Sequence, residues 1–72
     1  MDWQPVTDSA RVVAVAYDST QETIYVRFQD GIEWWYGNCP VQVWEEFVAP
    51  GTSKGRYVTD VLDDHPKGQH VG

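Results

Sequence analysis

Gln29-Asp30-Gly31 separates two short alternating segments and restricts the fold more than any other stretch of the 72-residue chain. Upstream, residues 22–28 place Ile24, Val26 and Phe28 on one side of an extended strand; downstream, residues 32–36 do the same with Ile32, Trp34 and Tyr36. A two-residue Asp30-Gly31 loop would set Arg27 opposite Trp34 and mix the faces. A three-residue loop, with Gly31 left-handed as a bulge, pairs Phe28 with Ile32, Val26 with Trp34 and Ile24 with Tyr36. The other face then sets Arg27 against Glu33 and Tyr25 against Trp35, pairs worth roughly 0.2–1 kcal/mol each. A one-residue slip would exchange core and solvent faces, so the three-residue loop is the expected one.

Residues 11–17 are β-branched and apolar and form a preceding strand, with residues 18–21 as a polar turn. A four-residue loop pairs Tyr17 with Glu22, Val15 with Ile24 and Val13 with Val26. The predicted inner face is Val13, Val15, Tyr17, Ile24, Val26, Phe28, Ile32, Trp34 and Tyr36. The outer face carries Val12, Ala14, Ala16, Tyr25, Arg27, Glu33 and Trp35. After Gly37, Asn38 or Cys39 caps a helix that has Pro40 in its first turn and Val43, Trp44, Phe47 and Val48 toward the sheet. Pro50-Gly51 ends it, Thr52 or Ser53 caps a second helix with Val58, Val61 and Leu62 on its apolar side, and residues 63–66 stop that one. The predicted fold is α+β: an antiparallel β-meander of three to four strands packed against one or two C-terminal helices. Residues 1–10 are a lead-in with room for an extra strand, 11–65 the domain, and 66–72 a disordered tail.

A chain this short buries only about 60% of the surface its unfolded form exposes. Cys39 is its single cysteine, so no internal disulfide can form. Four Trp, four Tyr and two Phe supply dense aromatic packing instead, with oligomerisation as a further support. The lone thiol suits a reducing compartment, and no basic-then-apolar leader or membrane-length apolar run is present. The expected location is the cytoplasm, or a host's cytoplasm for a phage-encoded accessory protein. The net charge of −6 disfavours nonspecific binding to phosphate backbones.

Several features, taken in order, resemble the KTSC domain, named for the C-terminus of some bacterial lysyl-tRNA synthetases and also found as a free-standing small protein. A strand ends in Tyr17-Asp18, followed by Ile24-x-Val26-x-Phe28 and Gly31. The family's central Tyr-x-Tyr corresponds to Trp34-Trp35-Tyr36, and its Val-Pro to Cys39-Pro40, followed by Val43-Trp44. Its Ser-x-Gly-x-Tyr corresponds to Ser53-Lys54-Gly55-Arg56-Tyr57. The resemblance spans roughly residues 8–65 and departs at Trp34, at Cys39 and at Thr59, where an asparagine is usual. It implies the fold. The family has no established function, although association with the synthetase has suggested RNA binding.

The chemistry-bearing residues point away from catalysis. Cys39 lies at a helix N-terminus, where a thiolate would be favoured, but it reads more simply as a small apolar cap residue in the place of the family's Val. His65, His70, Asp63 and Asp64 lack the regular spacing of a metal site, and Glu45-Glu46 point apart on a helix. No cofactor and no metal are expected, and the chain is read as a non-enzyme. The outer face is more informative. Tyr25 and Trp35 stand side by side next to the small Ala14 and Ala16, with Arg27 adjacent, and form a shallow shelf. Such aromatic surfaces are enriched at binding sites. Either the shelf meets a partner, or Trp3 and Pro5 fold over it. The leading expectation is a protein-interaction or self-association module. One alternative is single-stranded RNA or tRNA binding, with bases on Tyr25 and Trp35 and phosphates on Lys54 and Arg56. Another is sequestration of a small ligand or nucleotide by an oligomer.

Overall fold

The computed structural model of the protein describes residues 2–70. Five strands run in chain order across one antiparallel sheet: β1 (Gln4–Pro5), β2 (Val12–Asp18), β3 (Thr23–Phe28), β4 (Glu33–Tyr36) and β5 (Lys67–His70). Between β4 and β5 lie α1 (Val41–Val48), α2 (Lys54–Asp60) and a single 3-10 turn (Leu62–Asp64). The fold is α+β as expected, with one strand more than the upper expectation. Among the described residues no helix is long and apolar enough to cross a membrane.

The β3–β4 hairpin has the expected register: Ile24 opposes Tyr36, Tyr25 opposes Trp35, Val26 opposes Trp34 and Arg27 opposes Glu33. Its turn closes through Phe28 N–H to Ile32 O at 3.0 Å and Gly31 N–H to Phe28 O at 2.9 Å. Gly31 has φ +86°, the left-handed value the bulge requires.

The β2–β3 hairpin differs from expectation. Tyr17 pairs with Ile24 and Val15 with Val26, so the pairing slides by two residues and both strands keep their faces. The slide follows from the turn. Asp18 Oδ1 accepts from the Thr20 and Gln21 amides at 3.0 and 3.2 Å, which extends β2 through Asp18 and pairs it with Thr23. Glu22 then takes φ +51°. The register also shifts between Val12 and Ala14, where Val13 is the extra residue. Val12, expected outside, therefore enters the core fully buried, while Val13, expected inside, is half-buried. Ile32, expected inside, is 41% exposed at the hairpin tip.

The tail corrects a second expectation. Lys67–His70 is not disordered but pairs with β4, from Tyr36 opposite Lys67 to Glu33 opposite His70. Residues 71 and 72 lie outside the described part. At the other edge, the lead-in supplies β1, with Gln4 opposite Val15 and Pro5 opposite Ala14.

The core lies on the inner side of the sheet, where Val12, Val15, Ile24, Val26 and Tyr36 meet Cys39, Phe47, Tyr57, Val58 and Leu62. Val43, Trp44 and Val48 of α1 pack around it, as their spacing predicts. Rings connect the layers. Trp44 stacks on Tyr17 at 5.3 Å, and Phe47 meets Trp44 at 6.2 Å and Tyr57 at 5.3 Å. Pro40 itself is the N-cap residue of α1. Thr52 Oγ1 donates to Glu46 O at 2.9 Å and so satisfies a carbonyl of the last turn.

Candidate functional site

Strand pairing arranges the outer side of the sheet into two rows. One crosses Ala16, Tyr25, Trp35 and Gly68, and the other Pro5, Ala14, Arg27, Glu33 and His70. By strand alternation Trp3 continues the first row beyond Ala16. Among the described residues no helix lies on this side, since α1 and α2 pack on the inner core. The five outer-face residues predicted as a site, Ala14, Ala16, Tyr25, Arg27 and Trp35, do share one face.

The rings are held by one another and by charges. Trp3 meets Tyr25 edge-on at 6.5 Å, and His70 meets Tyr25 at 4.8 Å from the other side. Arg27 places its guanidinium carbon 4.5 Å from the centre of the Trp3 ring and its Nε 2.7 Å from Glu33 Oε2. Glu33 Oε1 faces His70 Nε2 at 3.9 Å. Trp35 lies over two glycines: a Cβ on Gly68 would sit 2.8 Å from its indole nitrogen, and one on Gly37 would sit 3.6 Å from the ring.

Trp3 therefore does fold over the shelf. Ala14 and Ala16 are buried, at 5% and 0% exposure. Trp3, Tyr25, Trp35 and His70 nonetheless remain half-buried. The cover is a single ring held by a T-shaped contact and a cation–π contact, each worth about 1 kcal/mol at a partly exposed site. The Arg27–Glu33 pair adds roughly 0–1 kcal/mol. The result is an ordered aromatic layer with a charged pair among its rings.

Lys54 and Arg56 do not join it. They lie on α2, which packs on the inner side through Tyr57 and Val58, so the sheet separates them from Tyr25 and Trp35. His70 does belong to the layer, and sequence reasoning missed it. The only signal was its parity with Gly68 on a strand that has no apolar alternation of its own.

Cys39 is fully buried, with Sγ 3.3 Å from Gly37 O and 3.6 Å from His65 Nδ1. Burial pushes its thiol up, the opposite of what an attacking thiolate needs. His65 Nδ1 is itself 3.0 Å from Gly37 O. Among the described residues no three His, Cys, Asp or Glu side chains are grouped to hold a metal ion.

The fold and this face define a small α+β domain: a sequentially ordered antiparallel sheet with helices on one side and a ring layer on the other. The model of the KTSC domain family matches residues 8–65, and the chain belongs to that family. The crystal structure of a KTSC domain protein from Yersinia pestis is similar over 97% of both chains, with a TM-score of 0.87 at 22% identity. At that identity the likeness speaks to the fold. No functionally curated protein matches the chain.

Proposed function

We propose that the protein is a non-catalytic binding module that engages a protein partner, a second copy of itself being the first to test, through the outer face of its sheet. One observation carries this reading. Trp3, Tyr25, Trp35 and His70 stay half-exposed around the Arg27–Glu33 pair on a sheet face that no helix covers. Aromatic rings and arginine are the side chains most enriched at the energetic centres of interfaces. Rings already fixed by their neighbours lose little side-chain entropy when a partner docks. The buried, protonated thiol of Cys39 is consistent with a role that needs no nucleophile.

Light scattering on wild type and Tyr25→Ala tests the reading. Self-association through this face gives a wild-type mass above the monomer that falls to the monomer in a variant with unchanged circular dichroism. A monomeric wild type removes self-association and leaves a foreign protein as the partner. An RNA partner finds less support, because Lys54 and Arg56 lie across the sheet from the rings. Titration with a single-stranded oligoribonucleotide at two salt concentrations separates the two. Affinity that falls steeply with salt would move the assignment to nucleic acid.

A further inference from the structure

The inner side of the sheet is wider than the helices that cover it. Toward the β4–β5 edge it leaves a cleft of about 420 Å³, within the roughly 300–1,000 Å³ typical of small-molecule sites. Phe28, Trp34 and Tyr36 from the sheet and Val58 from α2 line it, together with Arg11, Asp30 and the Asp63–Lys67 ion pair.

Two groups with bonding capacity to spare line it. Tyr36 is 2% exposed, yet its hydroxyl bonds to no group among the described residues, whereas the hydroxyls of Tyr17 and Tyr57 both do. No fully enclosed side-chain oxygen lacks a partner, so the Tyr36 hydroxyl keeps a small accessible area, and Tyr36 lines the cleft. Burial, reinforced by Asp63 and opposed by Arg11, pushes it up to about 12, so at neutral pH it is a donor. Arg11 is the second group. Its Nη1 donates to two uncharged acceptors, Gly55 O at 3.2 Å and Thr59 Oγ1 at 3.0 Å, and it makes no ion pair among the described residues. Its guanidinium carbon stands 5.6 Å from the centre of the Phe28 ring. The acids nearby are already engaged: Asp63 with Lys67 at 3.2 Å, and Asp30 with the Ile32 amide at 2.9 Å.

We propose that this cleft binds a small planar anion: a flat ring against Trp34 and Phe28, hydrogen-bonded by the Tyr36 hydroxyl, with one carboxylate or phosphate on the Arg11 guanidinium. The chemistry of each part is ordinary. Rings prefer aromatic faces, and guanidinium makes charge-assisted, often bidentate, bonds to carboxylate and phosphate. The cleft and the ring layer lie on opposite sides of the sheet, so this site is independent of the proposed protein-binding face.

Amide and indole NMR titrations with adenosine monophosphate and with indole-3-acetate test the proposal. Saturable shifts of the Trp34 indole N–H and of the Arg11 and Asp30 amides are expected, with the Trp35 indole unmoved. A response to the nucleotide alone selects a phosphate ester, a response to the acid alone a carboxylate, and a response to both the wider class. Arg11→Gln should weaken binding at least about ten-fold, the worth of one charge-assisted hydrogen bond. Should that variant fail to fold, Tyr36→Phe carries the test, since it keeps the buried ring; a loss of a few-fold is expected. No shift from either ligand at millimolar concentration overturns the proposal. So do shifts centred on Tyr25 and Trp35, or wild-type affinity in a folded variant.

Discussion

Gly68 shows how one missing atom shapes the ring layer. Trp35 rests where a Cβ of residue 68 would be, 2.8–2.9 Å from three atoms of the indole. Gly68→Ala must therefore lift the ring or bend β5, at a cost of roughly 1–3 kcal/mol typical of overpacking. Urea denaturation should show that loss, and it should shrink when Trp35→Phe is combined with it. Cys39 gives a second prediction at this scale. Its thiol is fully buried and held protonated, so alkylation should proceed at the rate of chain opening and accelerate sharply in denaturant. Gly31 and Gly68 differ in how far the sequence reveals them. The role of Gly31 was legible, because a three-residue loop demanded a left-handed residue. That of Gly68 was not, because its constraint comes from a ring on another strand.

Among the elements, the β3–β4 hairpin was legible in full because only one register kept both faces consistent. The β2 register was not. Its run from Val12 to Ala16 is apolar at every position, so alternation carries no information about which residues face inward. The Asx turn at Asp18 and the bulge at Val13 decided instead. β5 was invisible for the opposite reason: Lys-Gly-Gln-His has no apolar face, and the strand exists because β4 offers it a partner. The Gly37 amide donates to Pro66 O at 2.7 Å, which fixes the phase of that ladder. Gly68 and His70 then bond toward β4, and Lys67 and Gln69 turn their amides to solvent. Amide hydrogen exchange should be slow at Gly68 and His70 and fast at Gln69. Equal, fast exchange at all three would mean that β5 is not a stable strand.

Across the whole molecule, three tyrosine hydroxyls are pushed up from their ordinary value of 10. Burial is the first cause in each case, joined at Tyr17 by Glu22 and at Tyr57 by the hydrogen bond to Glu46. For Tyr36, raised to about 12, the unfolded chain releases its proton first as pH climbs past 10. Stability is therefore full below that pH and is lost as pH rises toward 12, by roughly 2–3 kcal/mol from this group. The melting temperature should fall across that window, and Tyr36→Phe should flatten the fall. The candidate surface was about half legible at this scale. Alternation in the β3–β4 hairpin put Tyr25, Trp35 and Arg27 together, and Ala14 and Ala16 joined them because the β2 pairing slid by an even two residues. Separating Lys54 and Arg56 from them needed the packing of α2, and no sequence pattern announced the cleft between α2 and a strand that was itself unforeseen.

The strand order has a mechanical consequence. Because β1 to β5 follow one another across the sheet, the two ends of the described chain lie at opposite edges, and a force between them runs across the strands. That load falls along the hydrogen bonds of one edge pair at a time, since antiparallel bonds stand perpendicular to the strands. Pulled at its ends, the domain peels strand by strand at low force, where a fold with its terminal strands side by side would resist in shear.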